Sequence, residues 1–311
     1  MKLAAVDEET AIFTHRNILY IAKCVEGGTV EPLFTPPAED KVEKDVCSAL
    51  SVSSDRKKIV FSFSTTKQNY ILDYDASSKS VTVSERFKTS KRILGHQFRD
   101  GKLFYCDGWG EVVEHGGSPV LGHVSLVNGF FFSSDGDHIV SFDRDEKVRI
   151  SNFPVASDIR AYGLGHTEFV SAAVEVSGHI LSGSGDGHLR LWSMDGDCAA
   201  AYDVGLPVLA IEGGAAGFLV VMDRESGDAE VRPYEVNDNT ITVGETVAKG
   251  FDIARCGETS FVLSEEAVGV IGGASVALGE QFGVDLSLKE AVAAQWKHAS
   301  FPAKRARMED E

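Results

Sequence analysis

The chain has 311 residues, 43% of them hydrophobic and 25% charged, the balance of an ordinary globular protein and not of a collagen-like or proline-rich disordered one. Thirty lysines and arginines stand against 47 aspartates and glutamates, a formal charge of −17. That charge on average repels phosphate backbones and argues against a stand-alone nucleic-acid binder. The five cysteines (Cys24, Cys47, Cys106, Cys198, Cys256) are scattered, with neither zinc-ligand spacing nor a disulfide framework. Asp7-Glu8-Glu9 arrives before a signal-peptide apolar core could form, and no apolar run approaches the ~18–20 residues that span a bilayer. Idle thiols in a reducing intracellular compartment are expected.

In chain order the predicted elements are nearly all strands. Leu3 to Val6 is the first, followed by Ile59 to Phe63, Tyr70 to Tyr74 and Lys102 to Cys106. Phe169 to Val176, His179 to Ser182 and His188 to Trp192 come next, punctuated by Ser177-Gly178 and Gly185-Asp186-Gly187. Gly217 to Met222, Ala229 to Tyr234 and Ser260 to Leu263 continue the pattern. Apolar residues at three- and four-residue steps, the helical signal, are missing until Asp285 to Lys297, where Leu286, Leu288, Val292 and Trp296 predict a short helix. The remainder, Phe301 to Glu311, reads as an unfolded tail.

The elements repeat. Gly122-His123 and Gly165-His166 stand 43 residues apart, and the hairpins Asp145-Glu146-Lys147-Val148-Arg149 and Asp186-Gly187-His188-Leu189-Arg190 stand 41 apart. Both spacings match the ~40–45 residue period of a four-stranded propeller blade. At that period the chain holds about seven blades. The blades fall near 7–44, 45–90, 91–121, 122–164, 165–205, 206–248 and 249–280, the third being short. Strand Leu3 to Val6 is expected to complete the last blade and close the ring. The whole is an all-β, seven-bladed β-propeller over residues 1–280, with a C-terminal helix and tail over 281–311.

Gly165-His166, Ser182, Asp186 and Trp192 together resemble a WD-repeat blade, with Ser193 in place of the usual aspartate after the tryptophan. The resemblance implies a buried relay in which His166 bonds Asp186 while Ser182 and Trp192 complete the chain. Four polar groups satisfied together are buried cheaply. In the preceding blade His123 and Asp145 remain, but Ser151 stands where tryptophan would. Most blades are therefore expected to be degenerate and held by apolar packing.

Sites for chemistry are sparse. Gly183-Ser184-Gly185-Asp186-Gly187 and the glycines from Gly269 to Gly273 are followed by strands, whereas a phosphate cradle needs a helix N-terminus. Nine histidines form no His-x-His or His-Glu-x-x-His pair, and there is no Gly-x-Ser-x-Gly elbow. No catalytic, cofactor-binding or metal site is predicted.

The segment Asp143-Arg144-Asp145-Glu146-Lys147-Val148-Arg149 packs six charges into seven residues of a hairpin. Two readings stand: a solvated turn whose local ion pairs are worth ~0–1 kcal/mol each, or a patch that meets a protein partner together with the loop Leu164 to Phe169. The order Phe142 to Arg149, then Gly163-Leu164-Gly165-His166-Thr167-Glu168-Phe169-Val170-Ser171, then Ser184 to Trp192 resembles the non-catalytic WD-repeat subunit of tRNA guanine-N7 methyltransferase. The close match covers about 122–193, and the tail is shorter than in relatives with long basic extensions. The resemblance implies a protein with no methyl donor of its own, which binds a Rossmann-like catalytic subunit as a heterodimer and holds it active. That partner carries S-adenosylmethionine and methylates a variable-loop guanine of tRNA, the RNA being held mainly by the partner. The implied partner-binding residues are Asp145, Glu146, Lys147, Arg149, His166, Thr167 and Glu168, supported by Asp186 and Trp192. Nuclear residence, with the cytoplasm as a second location, is expected from the family and from Lys304-Arg305-Ala306-Arg307. The rival classes are a general WD-repeat scaffold, such as a ubiquitin-ligase substrate receptor, and a propeller enzyme acting at its channel. The first often shows Trp-Asp-x-Arg where this chain has Trp192-Ser193-Met194-Asp195, and the second lacks an acid–base pair.

Overall fold

A computed structural model describes residues 2–277, except 16, 38, 40–44, 265–266 and 274. The expected helix over Asp285 to Lys297 and the basic tail lie outside the described residues. Within them the regular elements are strands, arranged as seven antiparallel sheets in sequence order, each blade running from an inner to an outer strand. The blades occupy residues 3–34, 47–88, 93–122, 127–164, 170–203, 208–249 and 252–277. The seven-bladed propeller read from the repeat period is the fold.

Strand alternation explains how the blades hold one another. In Lys58–Phe63, Ile59, Phe61 and Phe63 pack toward blade 1, while Val60 packs against Leu103 of blade 3. In Ala216–Met222, Leu219 and Val221 face blade 5 and Val220 faces Ile253 of blade 7. Successive side chains point to opposite faces, so a middle strand with apolar residues on both faces serves two interfaces. Each of the seven apolar clusters joins a pair of adjacent blades. Polar ties add direction: Ser51 Oγ donates to His96 O, Asn128 Nδ2 to Val170 O and Ser171 Oγ to Val208 O, each reaching the next blade's inner strand.

Ring closure differs from the sequence expectation. Leu3–Ala5 does not join the last blade; it is the inner strand of the first, with Leu3 opposite Phe13. Blade 7 fills its four positions from its own residues, Asp252–Cys256 through Ser275–Ala277. A local hairpin, tightened by Val6 N donating to Thr10 O at 2.9 Å, closes a far shorter loop than pairing across the whole chain would. The seam is therefore made by side chains. Leu3 N donates to Asp252 Oδ2 at 2.8 Å, Arg56 donates to Val6 O and Cys256 Sγ, and Leu3 and Phe13 pack with Phe261 and Val268.

Near that seam, burial first and Asp252 second push the Glu212 carboxyl up to about 7, against the opposing Arg255. An unfolded glutamate ionises near about pH 4.3, so the unfolded state releases this proton first. Stability then falls as pH rises from there to about 7 and levels off above. Glu212→Gln should flatten that part of the curve in thermal melts between about pH 5 and 8. Parallel slopes for the two proteins would show that Glu212 is not the group responsible.

Candidate functional site

Blade 5 is built around one hydrogen-bonded chain. His166 Nδ1 lies 2.9 Å from Asp186 Oδ2, and His166 Nε2 lies 2.8 Å from Ser182 Oγ. Trp192 Nε1 donates to the same hydroxyl at 2.7 Å. A carboxylate only accepts, so Nδ1 carries the proton and Ser182 O–H can serve Nε2. Asp186 also accepts from the backbone N–H of Thr167 and of His188, each at 2.9 Å. Burial alone would raise the Asp186 pKa, but the bonds from His166, Thr167 and His188 outweigh it and hold the carboxyl well below the usual range. The four relay residues thus lock the loop entering the blade to the turn between its middle strands.

Blade 4 uses a shifted version. His123 Nδ1 pairs with Asp143 Oδ2 at 2.9 Å, not with Asp145, and Nε2 meets Ser141 Oγ at 2.7 Å. Asp143 stands where blade 5 has Ser184, two residues before the turn aspartate, and its longer side chain reaches the imidazole. Its other oxygen accepts from Lys147 N at 3.0 Å. Asp145 is thereby released to the surface, its side chain 47% exposed and held by Ser125 Oγ at 2.8 Å. Glu146 takes the left-handed position, φ 75°, that Gly187 fills in blade 5. A non-glycine residue pays for that conformation, so the turn keeps a surface charge at a backbone cost. Another Gly-His pair, Gly95-His96, is different again: His96 lies within the inner strand Ile93–Arg99, bonded to Ser62 Oγ of blade 2 at 2.7 Å, and burial pushes its pKa down to about 3.

The expected partner-binding residues divide. Asp145 and Thr167 are exposed and Lys147 and Glu146 half-buried, on one rim of blades 4 and 5. Lys147 Nζ donates to Asp145 O at 2.9 Å. Arg149 does not stand exposed beside Lys147. It is 5% exposed, and its guanidinium donates to Ser151 Oγ at 2.9 Å, Gly122 O at 2.8 Å and Ala156 O at 2.7 Å. The reason is Ser151: it occupies the register position of Trp192, opposite Ile139 as Trp192 is opposite Ile180, and the space an indole would fill takes the Arg149 head group. Burial pushes the Arg149 pKa down from its ordinary value. His166 is likewise interior, with both ring nitrogens bonded within the blade. Glu168 is half-buried and paired with Arg224 of blade 6.

In place of Arg149 and His166 the surface presents Val124 and Tyr162, which sequence reasoning passed over, beside Arg144 and Leu164 of the predicted patch. Val124 is fully exposed in the loop beside the turn, Arg144 is exposed, and on the outer strand Ile159–Leu164 Tyr162 and Leu164 are 40% and 63% exposed. Leu164 sits opposite Lys147 in the strand pairing. An apolar residue on each side of a charged turn is suited to a protein partner. The available sequence signal was Leu164 and Val124 flanking the two Gly-His pairs, where loops are ordinarily polar. Among the described residues no group of three or more histidine, cysteine, aspartate or glutamate side chains is placed to hold a metal.

The fold is shared with known propellers. A chain in a crystal structure of the mitotic checkpoint complex superposes with TM-score 0.70 at 15% identity, over 85% of this chain and 86% of that one. The WD40 β-propeller domain of Doa1 gives 0.64, also at 15% identity, over 88% and 90%. Sequence similarity is narrower and stronger. Residues 111–205 match the family model described as the tRNA methyltransferase TRM82 WD40 domain. The tRNA (guanine-N(7)-)-methyltransferase non-catalytic subunit wuho of Drosophila pseudoobscura pseudoobscura is 45% identical over 86 residues, 27% of this chain and 22% of that protein. Its namesake in Drosophila melanogaster is 48% identical over 75 residues, 24% and 18%. The matched part thus spans about a fifth of the length of these relatives. Over residues 111–205, the span that carries both relays and the charged turn, this chain is similar to the TRM82 WD40 domain.

Proposed function

We propose that the chain is the non-catalytic subunit of a tRNA guanine-N7 methyltransferase. It binds a separate catalytic subunit as a heterodimer and supports formation of N7-methylguanosine in the tRNA variable loop. The observation that carries this reading is the coincidence of two spans: the TRM82-like match over residues 111–205 contains the exposed, charged Arg144–Lys147 turn with Val124 and Leu164 beside it. Two similar proteins are named as non-catalytic subunits. S-adenosylmethionine belongs on the partner, and tRNA is held mainly through it. A propeller of charge −17 contributes position and stability more than phosphate affinity. The nucleus is the proposed location.

The test is capture. The tagged full chain, purified from its own cells, should retain a Rossmann-like methyltransferase in one-to-one stoichiometry, and the pair should methylate tRNA. The chain alone should show no heat on titration with S-adenosylmethionine. Micromolar donor binding by the lone chain, or a stoichiometric partner of another class such as a ubiquitin-ligase component, would refute the reading.

A further inference from the structure

A second charged patch lies on the same rim, outside the site just described. The stretch Arg86 to Arg92 holds four cations in seven residues of an acidic chain. Arg86 pairs with Glu39, but Lys88, Lys91 and Arg92 have no described carboxylate within ion-pair distance. Beside them the turn after Lys102–Asp107 projects Trp109, whose side chain is 60% exposed. The indole is fixed in place. Its backbone N–H donates to Asp107 Oδ1 at 2.8 Å, its Nε1 donates to Ser90 Oγ at 3.3 Å, and Lys91 Nζ stands 4.3 Å from the ring centroid.

Two nearby carboxylates are turned onto backbone groups. Asp107, 5% exposed, accepts from the N–H groups of Trp109 and Glu111. Asp45, 4% exposed, accepts from those of Val46, Thr65 and Thr66. Around the 60% exposed indole, with an ammonium over its ring, Lys88, Lys91 and Arg92 outnumber the one half-buried carboxylate of the same turn, Glu111. An acidic peptide would need only the cations. A fixed, open indole among cations is the arrangement that stacks an unpaired nucleobase while neighbouring lysines and arginines meet its phosphates.

We propose that Trp109, with Lys88, Lys91 and Arg92, is a contact site for single-stranded RNA: one unpaired base stacks on the indole, and the flanking phosphates pair with the cations. The inference rests on the proposed function for the identity of that RNA, an unpaired segment of the tRNA substrate. Position supports it. Gly110 O, in the Trp109 turn, accepts from His123 N at 2.8 Å, so the platform adjoins the Val124 loop of the docking rim. RNA held by a partner seated there lies within reach.

The experiment uses the purified full chain alone, a single-stranded RNA of about twelve nucleotides, its duplex form and a polyglutamate peptide. Single-stranded RNA should quench tryptophan fluorescence and bind more tightly than the duplex. Trp109→Ala should abolish most of the quenching and weaken binding about tenfold, with the melting temperature unchanged and Trp109→Phe retaining most of the affinity. Lys91→Glu with Arg92→Glu should weaken binding and flatten its salt dependence. Absence of RNA binding, equal binding of the duplex with Trp109→Ala unchanged, or equal competition by polyglutamate would each overturn the proposal. Because the catalytic subunit is not in the assay, failure here with successful capture of that subunit removes only the RNA site. The converse result removes only the partner reading.

Discussion

Trp192→Ala should lower the stability of the free propeller by about 3–5 kcal/mol, the range for emptying a buried aromatic site. Trp192 is fully buried and packs with Val140, Val148 and Ile150 of blade 4 as well as Val170 and Ile180 of its own blade. Its ring lies against Gly163 of the neighbouring outer strand, so closely that a Cβ there would come within 2.7 Å of the indole. The loss is therefore felt at an interface between blades, where collapse of one sheet cannot refill the space without moving the other. Removing Nε1 also takes a donor from Ser182, which already serves His166. Trp192→Phe should cost less, because it keeps much of the volume although it too loses the hydrogen bond to Ser182. Denaturant melts of both variants check this. A change below about 1 kcal/mol for the alanine protein would contradict the interior placement of the ring.

The second large effect concerns binding. Arg144→Glu with Lys147→Glu should leave the melting transition of the free chain nearly unchanged, since exposed or half-buried turn charges seldom matter by more than about 0.5 kcal/mol. Affinity for the catalytic subunit should fall by about a hundredfold, because two reversed charges would face the groups that had met the cations. Arg149 is excluded from the pair because it is interior. Its head group satisfies the carbonyls of Gly122 and Ala156 and the Ser151 hydroxyl, so Arg149→Glu would damage the blade and confound the measurement. The readout is a quantitative pull-down beside a thermal melt. Wild-type capture by a normally melting Arg144→Glu/Lys147→Glu protein would reduce the turn to a solvated hairpin.

The sequence by itself determined the blade count and the place of the most regular blade. Two landmarks repeating in step, the Gly-His pair and the Asp-x-x-x-Arg hairpin, suffice because a four-stranded sheet of fixed strand length imposes a fixed period. The resemblance of the fifth blade to a WD repeat also marked His166, Ser182, Asp186 and Trp192 as a candidate relay, and the structure joins all four. Tertiary structure decided three things the period does not carry. Leu3–Ala5 pairs at home in blade 1, so the ring closes through Asp252, Arg56 and an apolar seam; strand partners are chosen by loop-closure entropy, which a local pattern does not display. His123 selects Asp143 over Asp145 because the geometry of one turn allows a longer side chain two residues earlier to reach it. And Arg149 is interior because Ser151 leaves a space where Trp192 fills one, a matter of volume between facing strands that alternation along a single strand does not record.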